Sequence, residues 1–352
     1  MGLMCARELS KRGLKVRVLE RGVIGREASW AGGGILSPLY PWRSSSAIWQ
    51  LSQRSGELYA KLALELLQET GIDSEWQQSG MLWLALSDLE EACAFLKSQA
   101  LPFEVLEHQE IHRRWPLLLH RKGKSLWVPS ICQIRNPQLL KALKRKVAVS
   151  IEENTQVVGL KRRKDRVVAA LTSKGEIEAD VFIITQGAWS AQLRLNALKP
   201  RISPVKGQML LFKATDDLLS CIVQRDEHYL IPRRDGRILV GSTVEAAGFD
   251  KRPSRLGYFR LYEFAIKTLP ALEYFPVELH WAGLRPFAED GIPYIGQHPE
   301  LENLFYNCGH FRNGVTMAPA ATELLVDLIL GEPPKVDPSP YLPRNRRDQF
   351  FV

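Results

Sequence analysis

No apolar run among the 352 residues approaches the ~20 needed to cross a bilayer as a helix. The longest candidates, VFIITQGAW and LLVDLIL, are broken by polar residues. The opening CARELSKRG is amphipathic and charged early, unlike a secretory signal. No membrane span is therefore expected, and the expected location is the cytoplasm. Cysteine is scarce. Cys5, Cys93, Cys132, Cys221 and Cys308 are odd in number, stand far apart and form no CxxC. That excludes a disulfide framework, suits a reducing compartment, and reads the thiols as small buried hydrophobes. Seven histidines form no HExxH or other close ligand spacing, so no metal is expected. Repeats and low-complexity segments are absent as well. What remains is an ordinary globular composition, 45% hydrophobic and 24% charged, on a chain long enough for two domains.

The net charge is +8, with basic runs at Lys144–Lys146, Lys161–Arg166 and Arg344–Arg347. No aromatics interleave with them, so they read as solvated faces and a tail, and no nucleic-acid partner is expected.

Periodicity predicts a helix over 3–13, with Leu3, Met4, Ala6 and Leu9 inward and Gly13 as its stop. LKVRVLE alternates as a strand. Residues 46–70 form a long helical stretch ended by Gly71, and DLEEACAFLKSQ a helix with Asp88 as its cap. NPQLLKALKRK is a helix with proline in its first turn. VFIIT, QMLLFKA, CIVQ, HYLIPRRDGRILVGST and VELHWAGLRPFAE read as strands, the fourth folded at Asp235–Gly236. Parallel-sheet units lie at both ends and in the middle, with antiparallel pieces between them. The expected fold is α/β, with a Rossmann-like domain over 1–75, 131–200 and 290–340. An interleaved, largely antiparallel β-sheet substrate domain covers 76–130 and 201–289. Residues 341–352 form a tail, and the chain after Pro334 is expected to be loosely ordered.

The first helix and strand carry a chemical signature. In a dinucleotide-binding unit a strand runs into a glycine turn and a helix, and the next strand ends in an acid that meets the ribose. Glu20 lies 18 residues after Gly2, which fits if Gly2 is the third glycine of G-x-G-x-x-G. The preceding strand and two glycines are missing, so Met1 is expected to be an internal methionine of a longer natural chain. Three further segments point the same way. Ala28–Pro38 is a run of small residues that lets a ligand approach the backbone. Asp180–Ser190 is a buried strand ending at Gly187. Gly309–Ala320 joins a glycine turn to a helix start, crowding His310, Arg312 and Asn313 together.

ELSKRGLKVRVLERG, ASWAGGGILSP, GQMLLF, YLIPRRDGRILVGST, WAGLRPFAEDGIPYIG and GHFRNGVTMAP together resemble the flavoprotein amine oxidases of the D-amino-acid oxidase superfamily, over nearly the whole chain. Within it they resemble the glycine oxidase branch associated with thiamine thiazole synthesis. The resemblance implies noncovalent FAD. By it, Gly2 closes the phosphate turn, and Glu20 and Arg21 meet the adenosine ribose. Val158 contacts the adenine through its backbone. Ala28, Ser29, Gly33, Gly34 and Ile35 line the pyrophosphate and isoalloxazine, with Gly187 nearby. His310, Phe311, Arg312, Asn313, Gly314, Val315 and Thr316 lie against the flavin's pyrimidine end, where a helix N-terminus favours negative charge.

A small amino-acid substrate needs its carboxylate held, and a guanidinium matches two oxygens with two donors. Arg285 is the expected clamp, with Tyr229 sharing the carboxylate and Arg312 a second contact. The bland alternatives are an ion pair of Arg285 with Glu289 or Asp290 and an ordinary strand-edge role for Tyr229. The implied reaction takes hydride from Cα of a neutral amine to the flavin. The imino acid hydrolyses to a 2-oxo acid and ammonia, and molecular oxygen yields hydrogen peroxide. No general acid or base is named. Two other readings stand beside it: a D-amino-acid or secondary-amine dehydrogenase with a non-oxygen acceptor, and a degenerate flavin fold binding RNA or a partner. Homo-oligomerisation is left open.

Overall fold

Alternating apolar side chains build the largest element of the computed structural model, which describes residues 1–343 apart from 121, 147–149, 196 and 198. It is an eight-stranded sheet in the order Val277–Ala288, Ile202–Phe212, Ile238–Gly241, His228–Pro232, Ile222–Arg225, Met81–Trp83, Ser125–Val128, Glu104–Leu106. Neighbours are antiparallel except Ile222–Arg225 with Met81–Trp83. Because side chains alternate faces along a strand, the sheet serves two cores. Leu82, Leu210, Leu230 and Val240 pack on one face under Leu261 and Ala265 of the Arg255–Thr268 helix. Met81, Met209, Tyr229, Ile231 and Leu239 pack on the other, with Ile35 and with Leu96 of the Leu89–Ser98 helix. The hairpin at Asp235–Gly236 forms as expected, with Gly236 at φ 78°.

The parallel pieces are separate. Arg17–Leu19 pairs with Ser150–Glu152, and Phe182–Ile184 pairs with Leu301–Cys308, which turns back to Tyr294–His298. Among the described residues, Arg17–Leu19 and Phe182–Ile184 each pair on one side only. A further antiparallel sheet is made of Val157–Arg163, Arg166–Thr172 and Gly175–Glu178.

Three helices, Gly2–Lys11, Ser46–Thr70 and Gly314–Leu330, pack on these pieces through Cys5, Ile48, Leu51, Met317, Ala321 and Leu325. Ala320 and Ala321 keep the last helix close to its neighbours. Pro319 stands inside it and cannot donate to the carbonyl of Val315. The Tyr59 hydroxyl donates to that carbonyl instead, and the amide of Ala320 reaches Ser55 Oγ at 3.1 Å. The helix interruption is thereby satisfied by one neighbouring helix. Gly71 and Gly331 end their helices in the left-handed conformation, at φ 70° and 68°.

Three expectations are corrected. Asp88 occupies the helix N-cap but does not cap. Its carboxylate accepts from Trp42 Nε1 and Arg43 Nε, both at 2.6 Å, because an indole and a guanidinium outcompete a backbone amide for the charge. The Ala28–Pro38 segment is not all loop, since Ala28–Ala31 makes one helical turn. The chain after Pro334 is packed as far as it is described. Tyr341 is fully buried, its hydroxyl donates to Ala47 O at 2.7 Å, and the amide of Ile295 donates to its carbonyl. One aromatic is enough to fasten a proline-rich segment. The rest of the expected tail, with Arg344–Arg347, lies outside the described residues. The other basic runs are ion-paired surfaces: Lys144 with Glu153, Lys161 with Glu176, Arg166 with Glu302. Among the described residues no helix is long and apolar enough to cross a membrane, and no group of three metal-ligating side chains gathers.

Candidate active site

The loop at Gly32–Ile35 is laid against residues 132–136 with no space between. Gly34 sits at φ 81°, and a Cβ on it would lie 2.0 Å from the carbonyl of Ile134. Ile134 donates to Gly34 O at 2.8 Å, and Leu36 to Cys132 O at 2.9 Å. Asn136 Nδ2 donates to Ser29 O at 2.9 Å, and a Cβ on Gly32 would touch that nitrogen. Gly34 is therefore required by backbone packing and Gly32 by the Asn136 side chain, and the loop's other surface faces a cleft.

That cleft has about 1420 Å³ of empty space counted out to its open mouth. Of the residues singled out in the sequence, Ala28, Ser29, Gly33, Gly34, Ile35, Gly187, Tyr229, Arg285 and the run from His310 to Val315 line it together. The segments are scattered between Ala28 and Val315 of the chain, so the fold alone brings them together.

Arg285 stands on the Val277–Ala288 strand. Its Nη1 donates to Thr243 O at 3.0 Å and its Nη2 to Ser242 Oγ at 2.7 Å. It does not pair with Glu289, which is bonded to Arg201 at 2.8 Å, and among the described residues no carboxylate forms an ion pair with it. Burial pushes its guanidinium down to about 10, so it remains charged at neutral pH. The space for its head comes from Gly207 on the adjoining strand, where a Cβ would fall 2.2–2.4 Å from the guanidinium atoms. Gly207 is paired across the strands with Gly283, whose own missing Cβ admits Ala31. Tyr229 brings its hydroxyl to 3.6 Å from Met209 Sδ, with its ring against Gly33.

Arg312 adds a second cation whose Nε and Nη2 are buried and have no hydrogen-bond partner among the described residues. Phe311 before it is held at φ 45°, an uncommon conformation for a side chain of that size. His310 is buried, which pushes its imidazole down to about 3, so it is neutral, and its Nε2 lacks a partner. Two guanidiniums thus face one cleft, short of counter-charges, beside the N-terminus of the Gly314–Leu330 helix. The arrangement favours a bound anion.

The remaining sequence-selected residues stand off the cleft lining. Gly2 packs on Thr185, a cleft residue, with 2.9 Å between a virtual Cβ and Thr185 Oγ1. Glu20 Oε1 accepts from the Gly22 amide at 2.9 Å, and its carbonyl accepts from Thr155. Arg21 lies 3.5 Å over the Trp189 ring and pairs with Glu27 at 2.8 Å. Val158 is exposed, and its carbonyl accepts from Arg194. Thr316 is buried and donates to Ile35 O at 3.0 Å, tying the helix start to the loop.

Sequence reasoning missed Gly207, Ser242 and Asn136. Gly207 had a signal, a glycine inside an apolar strand pattern, which marks a close approach by another group. Ser242 and Asn136 had none. The cleft fits a flavin dinucleotide on its own features. It offers a glycine surface where a Cβ on Gly33 would meet Ile231 and Tyr229 at 3.0–3.2 Å, unpaired buried donors on Arg312, and a 17-residue helix starting at its wall.

Known proteins bear the same pattern. A family described as "FAD dependent oxidoreductase", DAO, matches residues 1–328. The chain is similar to a glycine oxidase of Pseudomonas aeruginosa, 43% identical over 351 residues, covering 98% of this chain and 96% of that one. It is 30% identical to a "Bifunctional protein ThiO/ThiG" of Trichormus variabilis, over 96% of this chain and 52% of that one. The crystal structure of a glycine oxidase from Geobacillus kaustophilus superposes with a TM-score of 0.93 at 30% identity, over 98% and 95% of the two chains. The chain belongs to the DAO family of FAD dependent oxidoreductases, and FAD is its cofactor.

Proposed function

We propose that this protein oxidises glycine or a related small amine, such as sarcosine or a small D-amino acid, to a 2-oxo acid, hydrogen peroxide and the released amine, which is ammonia except from sarcosine, where it is methylamine. The observation that carries the reading is Arg285. It is a half-buried guanidinium held by two neutral oxygens, facing the cleft with no carboxylate paired to it among the described residues. A substrate carboxylate supplies the missing charge, and Tyr229 and Arg312 supply further donors beside it. Glycine oxidases are the relatives at 43% and 30% identity, and a bifunctional relative joins a like chain to a second one. On that basis we place the activity in thiamine thiazole synthesis, in the cytoplasm.

Bound FAD supplies the two-electron acceptor. Gly33, Gly34, Ala28 and Ser29 offer backbone to it, and the His310–Thr316 segment offers the helix N-terminus. We assign Glu20, Arg21 and the Val158 backbone to its adenosine end, with Gly2 at the phosphate turn. The protein's own part in the oxidation is orientation and exclusion of water. Arg285 fixes the carboxylate and so the direction of Cα. The amine reacts in its neutral form, its proton having gone to bulk water, and His310 stays neutral throughout. No side chain is needed as a strong base. The large sheet serves as the substrate half (76–130, 201–289) and the parallel pieces with their helices as the cofactor half (1–75, 131–200, 290–340). The dehydrogenase and RNA-binding readings are not favoured, as the relatives above are oxidases.

The test is the visible spectrum of the purified protein under anaerobic conditions with added glycine. Bleaching near ~450 nm, followed by peroxide on admitting air, is the expected result. A bound flavin that glycine, sarcosine and D-alanine all leave oxidised overturns the proposal. Acid precipitation is expected to leave the flavin in the supernatant, as a noncovalent cofactor must be.

A further inference from the structure

One buried cation has no part in the chemistry above. Arg233 follows the His228–Pro232 strand, and the two-residue period puts Tyr229, Ile231 and Arg233 on the same face. All three meet Gly33. Tyr229 and Ile231 lie 3.0–3.2 Å from where its Cβ would be, and Arg233 Nη2 donates to its carbonyl. The other arm of the guanidinium donates to Gln133 Oε1 at 2.9 Å and Ile134 O at 3.2 Å. Arg233 is 8% exposed, and among the described residues no carboxylate pairs with it. The nearby acids Glu75 and Asp235 are bonded to Arg135 instead, at 2.8 and 2.9 Å. Burial pushes Arg233 down to about 10, leaving it charged at neutral pH.

A buried cation on neutral oxygens is a costly way to fill space, and an apolar side chain of similar volume often does so with no loss of stability. What an apolar side chain lacks is the means to grip three acceptors in a fixed plane. The gripped segment is the one that most needs it. Gly32, Gly33 and Gly34 are three consecutive glycines, the freest backbone a chain can have. Their one exposed surface is the cofactor cleft.

We infer that Arg233 is a positioning residue of the cofactor site, fastening the Gly33 peptide to residues 133–134 so that the loop is shaped before FAD binds and stays in register with the strand that carries Tyr229. The cofactor then meets a formed surface, and affinity is not spent on ordering it.

Arg233→Met and Arg233→Lys are compared with the parent, first by amide exchange of residues 33–35 without FAD, then by titration with FAD. In Arg233→Met, exchange is expected to quicken about tenfold and the FAD dissociation constant to rise about tenfold or more. Lysine keeps the charge and one donor and is expected to fall between, about threefold on each measure. Leu261→Ala, in the core on the far face of the sheet, lowers the melting temperature and leaves both measures alone. Exchange and affinity within twofold of the parent in Arg233→Met overturn the inference. Where that variant fails to fold, Arg233→Lys decides: parent-like loop exchange overturns the inference whatever happens to FAD.

Discussion

Where the Val277–Ala288 strand meets the Phe311–Asn313 turn, the cleft is lined by two guanidiniums, Arg285 and Arg312, whose bonds among the described residues go to neutral atoms or to none. Off the cleft lining, around the Arg17–Leu19 strand, the charged groups are already engaged. Glu20 accepts from the Gly22 amide, and Arg21 is stacked on Trp189 and paired with Glu27. The first region stores electrostatic free energy that only an incoming anion releases. The second is electrically satisfied and offers mainly shape and backbone. Binding of a charged substrate should therefore depend steeply on single side chains, and binding of the adenosine end should depend on them weakly.

The largest effect is expected at Arg285. Arg285→Met removes a carboxylate's bidentate partner, worth about 2–5 kcal/mol when buried, so kcat/KM for glycine should fall about 10²–10³-fold. The folded protein loses a half-buried unpaired charge at the same time, so its melting temperature should hold or rise. Steady-state kinetics with calorimetry tests both. A loss below tenfold would remove Arg285 as the clamp and dissolve the contrast.

Gly207→Ala is expected next, at about 10–100-fold in KM with kcat less affected. Its Cβ would strike the guanidinium at 2.2–2.4 Å, and the side chain end moves more easily than the strand. The expected signature is a displaced Arg285 in an intact fold. Wild-type KM in Gly207→Ala would mean that the head has room elsewhere.

The charge on Arg285 predicts a pH dependence as well. Its guanidinium is charged below about 10 and neutral above. Glycolate lacks an amine to titrate in this range, so its inhibition constant follows the groups that hold its carboxylate, Arg285 first among them. It should be flat from pH 7 to 9, then weaken about tenfold per unit above pH 10. A flat profile to pH 11 would place the clamp on a group that does not titrate there.

The elements were legible where one period ruled a segment. The Ser46–Thr70 helix, the Asp235–Gly236 hairpin and the alternating strands of the large sheet follow from local pattern. Arg285 and Tyr229 were legible from charge together with family resemblance, and the structure sets both on the cleft wall. The illegible parts are contacts between segments far apart in sequence. Ser242 orients Arg285 across a sheet, Asn136 holds the carbonyl of Ser29, and Asp88 leaves its helix for Trp42 and Arg43. Nothing in the flanking residues marks any of these. Tyr341 shows the same limit. A proline-rich context reads as loose until its one aromatic finds a hole between the Ser46–Thr70 helix and the Tyr294–His298 strand.

The smallest effect is expected off the cleft lining, beside the Arg17–Leu19 strand. Glu20 spends one carboxylate oxygen on the Gly22 amide, which shapes the turn after its strand, and under the proposed assignment its other oxygen meets a ribose hydroxyl. Glu20→Gln preserves an acceptor for each of those bonds and removes only the charge. Because the site is half-exposed, water screens that charge, and a hydrogen bond made there is worth about 0.5–1.5 kcal/mol. FAD affinity measured by fluorescence titration should then weaken about two- to tenfold, with KM for glycine unchanged. A hundredfold loss would mean that this region is as electrically strained as the other. The reason would then lie in Arg21. Freed from Glu27 when the dinucleotide enters, it would leave Glu20 as the nearest counter-charge.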